Sequence, residues 1–121
     1  PRARFGYYNG TASNWIITND GEFTGLKYNA TSDYRIKDNV EPLTTETVDP
    51  LRPVKYYNKK LEKEDIGLIA HEVQEHYPFL VTGEKDGKDM QTINYTGLIG
   101  ILIKEIQDLK KRVSELEMKN M

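Results

Sequence analysis

Seven positions near the C-terminus constrain this chain more than any others. Ile99, Leu102, Ile106, Leu109, Val113, Leu116 and Asn120 follow a 3,4,3,4 spacing. On a helix that spacing holds an apolar stripe on one side through three heptads, the a and d positions of a coiled coil. A helix over about residues 97–120 has to cover that stripe with copies of itself or with its own domain. In this register Glu105 and Arg112 take g, while Lys110 and Glu117 take e. A g residue meets the e residue five positions later on a parallel neighbour, so Glu105 faces Lys110 and Arg112 faces Glu117. Both pairs are complementary, which points to a parallel, in-register homo-oligomer. The alternative is an amphipathic helix docked on its own domain. β-Branched a residues with Leu at d mildly favour dimers in isolated peptides, so the stripe alone does not fix the oligomer number.

The rest of the chain supports burial between chains. Only 37% of the 121 residues are hydrophobic and 30% are charged. Leu, Ile and Val are concentrated in the second half. One small domain with appendages is expected. The net charge of -2 argues against a nucleic-acid footprint. No apolar run reaches the roughly 18 residues that span a bilayer. Cysteine is absent, so disulfides and thiolate chemistry are excluded. The sequence starts at Pro1 rather than Met, which suggests a fragment of something longer.

Residues 1–31 read as short Gly-punctuated strands: Trp15 to Thr18, a turn at Asn19-Asp20-Gly21, then Glu22 to Leu26. Pieces this short are stable when stacked on more of the same or on other chains; a hairpin packed on the next domain is the alternative. A polar helical turn from Ser32 to Val40 follows, with Ile36 and Val40 expected inward. Leu51 to Tyr57 alternates as a half-buried strand does, and Asn58 to Asp65 reads as a charged turn. A short helix from Ala70 ends at Pro78. Phe79-Leu80-Val81 and Gln91 to Tyr95 are strand candidates around a turn at Asp86-Gly87. The fold class is therefore α+β.

The chemistry-bearing cluster is Ser32-Asp33-Tyr34-Arg35-Ile36-Lys37. A Ser with a neutral Lys in reach is a minimal kit for peptide cleavage: Lys takes the proton and Ser attacks. Lys37 is the preferred base, brought near Ser32 by a turn, and would need burial or Arg35 beside it to lose its proton. Lys59 is the other candidate. Asp33 orients Arg35 or Lys37, or simply caps the turn. An inert surface Ser among charges is the bland alternative. His71 and His76 are five apart, about 140° out of line on a helix, so the pair does not match a zinc-protease motif. No metal and no cofactor are expected. His71 reads instead as a partly buried polar residue at a helix start.

Four segments in this order carry a resemblance: Ser32 to Val40; Leu51-Arg52-Pro53-Val54-Lys55-Tyr56; Ile66 to Glu75 with Pro78 and Val81; and Ile93-Asn94-Tyr95 followed by heptads. Together they resemble the C-terminal intramolecular chaperone auto-processing domain of phage endosialidases, tailspikes, tail fibres and neck appendages, over residues 32–121. His71 departs from the family, which usually has Gln there. The resemblance implies an intertwined homotrimer in which residues 1–31 end an upstream β-helical shaft and residues 32–121 register it. It implies self-cleavage between Thr31 and Ser32 with Ser32 as nucleophile. The implied partners are copies of the same chain and its own upstream region, with no nucleic acid and no membrane. The implied setting is the bacterial host cytoplasm during assembly, after which the upstream part stays in the virion and this domain is released. A non-cleaving trimerisation cap and a coiled-coil interaction module are the competing readings.

Overall fold

The computed structural model of the chain describes residues 15–17 and 21–120. It is a small α+β fold of short strands and one long C-terminal helix. The chain divides into two units, residues 1–40 with 56–65, and residues 41–55 with 66–121.

In the first unit, β1 (Trp15–Ile17) pairs antiparallel with β2 (Phe23–Gly25), Ile16 opposite Thr24. Gly21 lies between them at φ +95°, a conformation that favours glycine. Thr18 to Asp20, read as the end of a strand and the start of the turn, lie outside the described residues. A 3-10 turn, Tyr34–Ile36, follows. Ile36 and Val40, expected inward, are 67% and 78% exposed. A single turn has no second apolar row with which to bury them.

A second pair is formed by β3 (Val54–Asn58) and β4 (Lys63–Gly67). The charged run at 63–65, expected in the turn, lies in β4. Asn58 Oδ1 accepts from the backbone of Lys60 and Leu61, and Glu62 takes φ +54°, so the reversal closes by residue 62.

The second unit holds the core. Helix α1 (Ala70–Gln74) leads to a 3-10 turn at Pro78–Leu80, then β5 (Val81–Thr82) pairs antiparallel with β6 (Thr92–Ile93). His71 is half-buried in the first turn of α1. Helix α2 runs from Tyr95 to Lys119, capped by Asn94, whose side chain accepts from Gly97 N–H. Val73, Tyr77, Leu80, Leu98 and Ile101 form the buried cluster, with Val48, Leu51, Leu68, Val81 and Ile93 packed on it.

Helix α2 uses one face for this core and keeps another free. Leu98 and Ile101 are 7% and 3% exposed, whereas Ile99, Leu102, Ile106, Leu109, Val113 and Leu116 lie between 48% and 61%. At 100° per residue the docked face, c and g in the heptad, sits about 100° round from the a/d stripe. The helix does dock on its own domain, but not through the heptad stripe.

Side chains, rather than secondary structure, hold the connector at 46–48. Tyr77 Oη donates to Thr47 C=O (2.7 Å) and accepts from Thr47 N–H (2.8 Å). Glu105 Oε1 accepts from Thr47 Oγ1 (2.5 Å) and Val48 N–H (2.8 Å), and Lys104 Nζ donates to Glu46 C=O (2.8 Å). The g-position Glu105 is thus already engaged within its own chain. Tyr77→Phe strands both polar groups of Thr47, and a loss of about 1–3 kcal/mol in urea unfolding is expected.

The Thr47 hydroxyl, then the Val48 N–H, holds the Glu105 carboxyl below its ordinary value of 4.5. Stability from this contact is present above about pH 4.5 and is lost as pH falls from there through the folded-state value. Glu105→Gln is expected to flatten that part of the acid unfolding profile, read by circular dichroism.

Candidate functional site

The turn at 34–36 folds Ser32 and Lys37 onto each other. Ile36 N–H donates to Asp33 C=O and Lys37 N–H to Tyr34 C=O, so the chain reverses within one 3-10 turn. Lys37 returns to extended backbone, φ -123° and ψ 126°, and Lys37 Nζ lies 2.5 Å from Ser32 Oγ.

Asp33 builds the turn. One carboxylate oxygen accepts from Arg35 N–H (2.9 Å) and from Arg35 Nε (2.9 Å), and the other accepts from an Arg35 terminal nitrogen (3.1 Å). The residue is cap and guanidinium holder together, which joins the two roles read for it from the sequence. The Arg35 side chain, then the Arg35 N–H, holds the Asp33 carboxyl below its usual range. Asp33 in turn raises the Arg35 guanidinium above its ordinary value. With the charge of Arg35 taken up by Asp33, Lys37 is the cation that reaches the hydroxyl.

Thr31 immediately precedes Ser32, so attack of Ser32 Oγ on the Thr31 carbonyl carbon closes a five-membered ring. Lys59 lies in the β3–β4 reversal, and among the described residues it makes no hydrogen bond to Ser32. Ser32, Asp33, Arg35 and Lys37 are all exposed. The Ser–Lys contact therefore forms within one chain, but burial of the Lys amine does not. The six a/d residues form an exposed apolar row along a helix about 37 Å long.

Two features of the fold escaped sequence reading. Gly97, one turn into α2, lies so close to Leu80 that a Cβ there would sit 2.4 Å from Leu80 Cδ2. The Thr47–Glu105 contact spans 58 residues and has no local signature.

Residues 32–82 match the peptidase S74 family, chaperone of endosialidase. The match starts at Ser32 itself.

Similar curated proteins are phage fibre proteins. The long tail fiber protein Gp37 of Salmonella phage S16 is 33% identical over 128 residues, covering 90% of this chain and 17% of that protein. The same-named protein of Enterobacteria phage Ox2 is 30% identical, covering 90% of this chain and 42% of its own length. That of Enterobacteria phage M1 is 28% identical over 71% of this chain and 38% of its own. The chain thus spans less than half of each of these relatives. A 90% match leaves about 12 of 121 residues outside it, so the first two similarities extend across both sides of the Thr31–Ser32 bond.

Proposed function

We propose that this chain is an intramolecular chaperone that trimerises and registers an upstream phage fibre protein, then releases itself by cutting the Thr31–Ser32 bond. The observation that carries the reading is the 2.5 Å contact between Lys37 Nζ and Ser32 Oγ at the residue where the family match begins.

The chemistry follows from the turn. A neutral Lys37 amine accepts the Ser32 hydroxyl proton, and Oγ attacks the Thr31 carbonyl carbon. The C–N bond breaks, the Ser32 nitrogen leaves as an amine with the proton from Lys37, and an ester joins Thr31 to Ser32 Oγ. Water then hydrolyses the ester, leaving a Thr31 carboxylate and a free Ser32 hydroxyl. Nucleophile and acyl centre sit in adjacent residues, so the effective concentration is high. In one chain the amine is exposed. Neighbouring chains supply the desolvation that favours its neutral form, so cleavage waits for assembly.

The exposed a/d row of α2 fits the chaperone half of the reading. A parallel coiled coil raises the local concentration of upstream chains and sets their register, which is the slow step for intertwined β-structure. Cleavage afterwards removes the template and leaves the fibre kinetically trapped. The upstream part is a virion component, as the names of the relatives suggest. Assembly takes place in the host cytoplasm. Among the described residues no helix is long and apolar enough to cross a membrane.

Intact-mass spectrometry on a longer precursor tests the proposal, wild type beside Ser32→Ala after folding. A wild-type break between Thr31 and Ser32 that vanishes in the variant is the expected result. A trimeric, unbroken wild type supports the second reading instead, a permanent trimerisation cap, which the exposure of Ser32 and Lys37 favours.

A further inference from the structure

Beside the a/d stripe, α2 and the connector at 47–49 enclose an open groove of about 550 Å³. Its charged lining is Asp49 from the connector and Glu105, Asp108, Lys111, Arg112 and Glu115 from the helix, with Leu109 beside them. Leu109 belongs to the stripe, so the groove is continuous with the exposed seam. The charges in it are ordered. Along the helix Glu105 and Asp108 come first, Lys111 and Arg112 follow one to two turns on, and Glu115 lies beyond them; Asp49 stands on the connector next to Val48, which Glu105 holds. Glu105 Oε1 is spent on Thr47 and Val48, while Oε2 is 3.9 Å from Lys104. Lys104 also holds Asp108 at 3.0 Å. Asp49 is exposed, and among the described residues no hydrogen bond or ion pair engages its carboxylate.

We infer that this groove receives the e edge of α2 from a second copy of the chain, with Asp49 as an interchain partner of Lys110. The inference rests on the oligomeric part of the proposed function and extends it from a helix-only seam to one with a connector wall. Charge order carries it. In a parallel, in-register pair the neighbour's e positions pass along the g side in the sequence Ile103, Lys110, Glu117. By the g-to-e rule the neighbour's Lys110 pairs with the Glu105 stretch, and its Glu117 with Arg112 in the basic middle of the groove. An antiparallel or shifted neighbour would set like charges against each other. Glu105 has one oxygen committed to its own connector, so Asp49 supplies the carboxylate that a helix-only seam would lack. The connector thereby reads the register of the neighbouring helix.

Sedimentation velocity on the 121-residue chain tests this, across a dilution series at low and high salt. Asp49→Lys and Lys110→Glu are each expected to raise the concentration for half-dissociation by about tenfold or more, since each change is repeated at every interface. The double variant Asp49→Lys with Lys110→Glu is expected to regain most of the loss, and high salt to narrow all the differences. Both positions are exposed, so circular dichroism is expected to stay unchanged. Lys110→Glu weakening assembly while Asp49→Lys assembles like wild type would overturn the inference and leave the helix-only seam standing. Two single variants that both weaken assembly, with no recovery in the double, would overturn the pairing. A wild-type chain that stays monomeric at every concentration would overturn the oligomeric reading, and this inference with it.

Discussion

A precursor carrying Lys37→Met is expected to stay whole after folding, while Lys59→Met is cut like wild type. Met keeps most of the length and apolar character of the Lys stem and removes the amine that lies 2.5 Å from Ser32 Oγ. Loss of a positioned general base typically slows a step by about a hundredfold to ten-thousandfold. For a reaction that each chain performs once, that is the difference between complete and undetected product in a timed gel. Lys59 sits in the β3–β4 reversal with no hydrogen bond to Ser32 among the described residues. The opposite pattern, with Lys59→Met uncut and Lys37→Met cut, would assign the proton to Lys59. The check is intact mass over a time course, with the oligomeric state measured in parallel to separate failed chemistry from failed assembly.

The largest stability effect is expected where β5 and the preceding 3-10 turn meet the start of α2. Asn94 N–H donates to Leu80 C=O at 2.7 Å, which fixes the Leu80 backbone against the first turn of the helix. Leu80 is 6% exposed, and its Cδ2 occupies the space where a Gly97 side chain would begin. On an exposed helix, Gly→Ala gains about 1 kcal/mol. Here the gain is outweighed, because Leu80 must leave its place in a packed core, and overpacking costs about 1–3 kcal/mol. Leu80→Ala alone opens a cavity and costs about 2–5 kcal/mol. The double variant is expected to cost less than the two single changes added together, since the new methyl group enters the space that Leu80 vacates. Urea titration of the four proteins at pH 7 measures this coupling. Strict additivity would show that the close approach is relieved elsewhere.

Much of the functional region was legible because its signals are local. Ser32 and Lys37 are five residues apart, and a polar stretch containing Asp33 forms a capped turn from its own side chains and backbone. The β1–β2 pairing, the start of α1, Asp86 at φ +59° in the hairpin turn and the length of α2 follow from turn residues, proline placement and periodicity in the same way. Errors arose where local pattern and burial parted. Ile36 and Val40 have the spacing of an inward pair, but no described element covers them. Lys63 to Asp65 read as a turn on charge, yet Asn58 closes the reversal early and leaves them in β4.

By itself, the sequence determined the α+β class, the turn that joins Ser32 to Lys37, and a long helix that carries an a/d stripe. These depend on residues within about two helical turns of one another, where backbone geometry fixes the neighbours. Only the tertiary structure decided which face of α2 enters the core of its own domain. Leu98 and Ile101 are as apolar as Ile99 and Leu102, and heptad spacing cannot rank two apolar faces about 100° apart. Packing against Val73, Tyr77 and Leu80 makes that choice. The engagement of Glu105 with Thr47, the close approach of Gly97 to Leu80, and the pairing of Tyr77 with the Thr47 backbone belong to the same category. Each joins residues far apart in the chain, and their meeting is set by how the whole domain closes.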